Sequence, residues 1–187
     1  MGIAAQVFTL VGVAIGALAA FVSSTLSERA RYRRQLADGW RERKFDCYAI
    51  YLDDVKHMSV IARRIAASRD LELTATESLG SSEGAALLTE AETRRTRSME
   101  RVRLLSDAAT ASAAQALNEA VWRLEWIARG RVPDATADDW AGAVRSFLAA
   151  MNAFHVEARR ELDVPGHDIP RPLVPHRPDH WVSEYER

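Results

Sequence analysis

"TADDWAGAVRSFLAAMNAFHVEARREL", residues 136–162, decides the class of this chain. Trp140, Val144, Phe147, Met151, Phe154, Ala158 and Leu162 recur every three or four residues, which places them on one stripe of a helix. Thr136 stands just before the stripe, where its hydroxyl can accept an orphan amide of the first turn. Asp139 lies inside that turn, at the positive end of the helix dipole. A helix with one wet face and one apolar face has to bury the apolar one, so neighbouring helices are expected.

They follow on reading outward from this stretch. A third helix starts at the cap Ser106-Asp107 and runs to Arg129, where Gly130 and Pro133 end it. Its Ala113, Leu117, Ala120, Val121, Leu124, Ile127 and Ala128 share one side, while Trp122 and Trp126 point nearly opposite. Either this helix is central and packed on both sides, or Trp122 and Trp126, flanked by Arg123 and Arg129, form an anchor patch for a protein partner or a second copy. A second helix is expected from Glu83 to Leu105, with Leu87, Leu88, Met99, Val102 and Leu105 apolar. "ETRRTRS", Glu92 to Ser98, interrupts its stripe. An arginine there either pairs between helices with Asp46, Asp53 or Asp54 or, the favoured reading, projects into solvent. "LELTATESLGSS", residues 71–82, reads as a loop. Before it, residues 28–69 carry Trp40, Tyr48, Tyr51, Leu52, Val55, Met58, Ala62 and Ile65 on one face, with Gly39 or the Thr25-x-x-Glu28 pattern as candidate hinges. No segment alternates like a strand.

The amino-terminal run differs from all of these. From Gly2 to Leu26 there is no charged side chain. As a helix it would rise about 37 Å against a hydrocarbon core of roughly 30 Å. A cleaved signal fits less well, because "MGIAAQ" has no basic residue and Arg29, Arg31, Arg33 and Arg34 follow the small-x-small site Ala17-Leu18-Ala19. By the positive-inside rule those arginines, with Arg41, Arg43 and Lys44, keep the long C-terminal part in the cytoplasm and the amino terminus outside. They also sit where anionic lipid head groups would meet them. Gly12, Gly16 and Ala20, extended by Ala5 and Ser23, make a stripe of small residues through which two spanning helices could approach as a homodimer, or which simply faces lipid. The expected architecture is therefore all-α. A transmembrane helix (2–26) and a basic juxtamembrane segment (27–44) lead into a cytoplasmic antiparallel bundle of three to four helices (45–163). An extended tail (164–187) holds five of the six prolines.

Composition removes several functions. Twenty-five basic and 26 acidic residues leave a formal net charge of -1, so bulk attraction to nucleic acid is not expected. Cys47 is the only cysteine, which excludes an internal disulfide and a cysteine-based zinc site. On a helix flank it reads as a small buried apolar residue. His57 falls opposite the Val55 stripe, His155 lies at the edge of an apolar face, and Asp54 with His57 lacks a third group. His176 and His180 are four apart in a proline-rich tail that does not fix a metal geometry. Neither a metalloprotease helix nor a phosphate loop nor a nucleophile elbow occurs. No catalytic residue, cofactor or metal is expected.

"LVGVAIGALAAFVSSTLSERARYRR", "WRERKFDCYAIYLDDVK" and "EAVWRLEWIARG" resemble stretches of the uncharacterised small single-pass membrane proteins of actinobacteria, particularly Streptomyces-like ones, over most of residues 7–163. The resemblance implies a bacterial plasma-membrane setting and no particular chemistry. Two functions fit these readings. One is a non-enzymatic membrane-anchored interaction or scaffold protein with an unidentified protein partner. The other is a membrane-acting effector or stress and defence component that oligomerises through its span.

Overall fold

A computed structural model describes the backbone of residues 3–72 and 77–166, with side chains from Glu28 onward in those ranges except at 29, 30, 33 and 34. Among the described residues there are four α-helices and no strand: α1 (Ile3–Ala67), α2 (Ser81–Leu105), α3 (Ala108–Ala128) and α4 (Ala137–Glu161). The chain divides into two compact units between Arg43 and Lys44. No helix among the described residues is long and apolar enough to cross a membrane. The expected span, residues 2–26, falls on side chains outside the described set, as does the tail beyond Gly166.

The second unit is an up-down-up-down four-helix bundle made from the Lys44–Ala67 part of α1 with α2, α3 and α4. Each helix buries positions spaced by three or four: Tyr48, Tyr51, Val55, Met58, Ala62 and Ile65 on α1, and Ala114, Leu117, Val121, Leu124 and Ala128 on α3. That repeat lets side chains interlock between nearly antiparallel neighbours. Phe154 of α4 meets Tyr48 and Tyr51 edge-on, with ring centroids 5.7 and 5.4 Å away. Gly84 brings α2 against the far end of α1, where an added Cβ would lie 2.5 Å from Ile65 Cγ1.

The helix ends follow local chemistry. Thr136 and Asp139 form a complete capping box on α4, and the Asp107 carboxylate accepts the Thr110 amide at 2.8 Å to start α3. After α3, Gly130 takes φ +72°, and the Arg69 guanidinium donates to the Ile127 and Ala128 carbonyls at 2.5 and 3.1 Å. Charged donors thus satisfy carbonyls that the end of the helix would leave bare.

Four expectations change. α1 stays helical through Thr25 and Gly39, so neither is a break. Trp40 is half exposed in the first unit, because the buried face of α1 begins only at Cys47. Leu87 is exposed, because α2 buries Gly84, Leu88, Ala91, Arg95, Ser98 and Val102 and Leu87 falls one residue off that repeat. The arginine expected in solvent is in the core: Arg95 occupies a position of the same repeat and is only 2% exposed.

Candidate functional site

Arg95 organises the polar part of the bundle. Its guanidinium lies over the Trp122 ring, 4.8 Å from the centroid. The Glu92 carboxylate is 4.0 Å from its Nη2. Burial pulls the guanidinium pKa down, and Tyr51, Glu92 and Glu125 act against that pull. Glu125 is buried as well, at 1% exposure. Burial raises the Glu125 carboxyl, opposed mainly by Arg129, whose Nε stands 3.0 Å from Oε1. Arg129 also donates to the Ala85 carbonyl at 3.3 Å, and the Tyr51 hydroxyl donates to the Ala114 carbonyl at 2.8 Å. Three helices are thereby joined through polar groups. Arg95 Nε and Asn118 Oδ1 stay buried without a hydrogen-bond partner. The counter-charges are not those the sequence offered, since Asp46 and Asp53 are exposed and Asp54 is only partly buried.

Of the two tryptophans, Trp122 packs half-buried against the core beneath Arg95, and Trp126, one turn on, is 45% exposed. Gly12, Gly16, Ala20, Arg29, Arg33 and Arg34 have side chains outside the described residues; Arg31 is exposed.

A second polar cluster closes the bundle at its Lys44 end. Glu161 accepts from Lys44 Nζ and Tyr48 Oη, each at 2.5 Å, and from the Asp107 amide at 2.8 Å. Arg160 pairs with Asp107 at 2.6 Å. Burial on its own would lift the Glu161 carboxyl, but the bonds from Lys44, Tyr48, Thr110 and Asp107 together take it below the usual value. Asp107 is held at about 2, first by the Thr110 amide and then by Arg160. Tyr48 is pushed well above the ordinary phenol range, by burial first and by Glu161 next.

Between α1 and α4 lies a groove of about 280 Å³ lined by Lys56, Val60, Arg63, Val144, Leu148 and Met151, with Leu124 and Phe147 at its base. Arg63 also bonds Glu72 at 3.1 Å, and Glu72 accepts the Trp140 indole N–H at 3.1 Å.

These arrangements are suited to packing and docking. Burial raises the Cys47 thiol, which favours the protonated and less nucleophilic form. His57 is exposed and His155 half-buried. Among the described residues no three His, Cys, Asp or Glu side chains are grouped to hold a metal ion; His176 and His180 lie outside them. The spacing 84, 88, 91, 95, 98, 102 is the signal that places Arg95 inside. No local signal announces the Lys44–Glu161 pair, whose members are 117 residues apart. No protein family, curated protein or solved structure matches the chain.

Proposed function

We propose that this chain is a non-enzymatic interaction or scaffold protein held at the inner surface of a bacterial plasma membrane. In this reading residues 2–26 span the bilayer with the amino terminus outside, Arg29, Arg31, Arg33 and Arg34 lie near anionic head groups, and the bundle works in the cytoplasm. The observation that carries it is the junction itself: a charge-free run of 25 residues stops at a basic border, and a folded helical bundle follows. The resemblance to actinobacterial single-pass proteins agrees with the setting. Exposed Trp126 supports a docking role, because a large aromatic on a helix surface is a common anchor for a protein partner. The Gly12, Gly16 and Ala20 stripe would let a second copy approach within the bilayer.

Membrane fractionation with protease protection tests the topology. The full chain should sediment with membranes after carbonate washing, and a carboxy-terminal tag should be cut in inverted vesicles but not in spheroplasts. A chain that stays in the wash supernatant would overturn the anchor. Crosslinking pull-down tests the docking role. Trp126→Ala should reduce co-purification of the partner by about tenfold or more, with the unfolding midpoint unchanged; an unaltered set of crosslinked proteins removes Trp126 from the reading.

A further inference from the structure

The chain leaves α4 on the side of the groove. Val144, Leu148 and Met151 border the groove from α4, and His155 and Arg159 continue that row toward the helix end at steps of four. There the departing chain is tied to Arg159: the Val164 amide donates to its carbonyl at 3.0 Å, and its Nη2 donates to the Pro165 carbonyl at 3.1 Å. Beyond Gly166 the sequence carries a period that a search for α-helices passes over. From Ile169 to Pro178, four residues are proline and four more precede a proline, so eight of the ten favour polyproline II. That helix repeats every three residues. On it Ile169, Pro172, Pro175 and Pro178 share one edge, and Pro170, Leu173 and His176 a second. Arg171 and Arg177 fall with Val174 on the third. Around Leu173, two of the three edges are apolar and both arginines lie on the other.

We propose that residues 169–178 occupy the α1–α4 groove of their own chain as a polyproline II segment, with Pro172, Leu173 and Pro175 against Val60, Val144 and Leu148. The lengths agree. Seven residues from Gly166 to Leu173, at about 3.1 Å each, cover about 22 Å, and the return along α4 from Glu161 to Leu148 is about 20 Å. The edge from Pro172 to Pro175 is about 9 Å long, close to the roughly 10 Å that separates the levels of Val144 and Met151. Charge sets the facing. Lys56 and Arg63 stand on the α1 rim, so the edge with Arg171 and Arg177 turns to solvent and the two apolar edges turn inward. A proline-rich segment suits an apolar groove because it has little conformational entropy left to lose. So short a tether also gives a local concentration on the order of millimolar, which keeps even a weak contact filled. The contact lies within the carboxy-terminal unit, so it stands apart from the membrane reading, which fractionation decides separately.

The test uses the full-length chain carrying both Val60→Cys and Leu173→Cys, oxidised briefly in cells, run on non-reducing gels and digested for mass spectrometry. The expected result is a monomer-sized band that yields a peptide pair joined through the two new cysteines. The pair should be missing when Leu87→Cys, at an exposed position on α2, replaces Val60→Cys. A second measurement follows maleimide labelling of Val60→Cys alone. Leu173→Asp should speed it several-fold and Arg171→Ala should leave it unchanged; both changes lie in the tail and leave the core of the bundle intact. Absence of the linked pair overturns the proposal. So does a link that joins two chains, the sign of a second copy's tail in the groove, and so does labelling that ignores Leu173→Asp or responds equally to Arg171→Ala.

Discussion

α4 and α2 are both 25 residues long and sit in one bundle, yet they hold their places by different means. α4 buries Trp140, Ala143, Phe147, Met151, Phe154 and Ala158, so every inward position is apolar. α2 buries Gly84, Leu88, Ala91, Arg95, Ser98, Met99 and Val102, and its inward face is small or polar over much of its length. The contrast teaches that the three-four spacing of buried positions, and not the hydrophobicity of each, is what the two helices share. α4 is kept by burial of large side chains. α2 is kept by close approach at Gly84 and by stacking and charge pairing around Arg95.

The largest effect expected is on the α4 side. Phe154→Ala removes a fully buried ring from between Tyr48 and Tyr51, and chemical denaturation should show a loss of about 3–5 kcal/mol. On α2 a loss of similar size is expected from a charge instead of a ring. Arg95→Met keeps much of the bulk over Trp122 but leaves Glu92 and the buried Glu125 without the guanidinium that faces them, and the same denaturation curve should show a loss of about 3 kcal/mol. An unchanged curve would mean that stacking bulk alone holds α2 and that its charge pairing is dispensable. Glycines give a smaller, paired comparison. Gly84→Ala should cost about 1–3 kcal/mol because Ile65 must move. Gly142→Ala on α4, whose nearest contact would be Arg145 at 3.8 Å, should gain about 0.5–1 kcal/mol by helix propensity alone.

The smallest effect is read by pH. Asp107 titrates at about 2 in the folded chain, below its ordinary value of 3.8. Its contribution is complete above the higher of these values and is lost as pH falls through the lower one. Thermal unfolding followed from pH 5 to pH 2 should show this step in the parent chain, and Asp107→Asn should flatten it while keeping a side-chain oxygen for the Thr110 amide.

The same contrast explains what was legible in the sequence. α4 could be read nearly residue by residue, because its stripe is apolar and Thr136 with Asp139 announces its start. The existence and ends of α3 were readable for the same reasons. α2 departs from its apolar pattern at Leu87 and Arg95, since hydrophobicity alone assigns Leu87 to the core and leaves the buried arginine outside it. The repeat at 84, 88, 91, 95, 98 and 102 carried the information, but only once polar residues are allowed to occupy it. The Glu161 cluster and the groove were beyond local reading, because they are made by residues that meet only when helices far apart in the chain have packed.

The Glu161 cluster also sets a timetable for synthesis. Lys44 and Tyr48 cannot meet their acceptor until the chain has been extended by another 117 and 113 residues. At roughly 5–20 residues per second that is a wait of about 6–23 s. Meanwhile α2 and α3 can form a local hairpin around Ser106-Asp107, but the last carboxylate of α4 is still to come. During that interval the inward face of α1, from Cys47 to Ile65, still lacks the part of its cover that α4 supplies, Phe154 against Tyr48 and Tyr51 included, and the nascent protein is most open to capture or aggregation then.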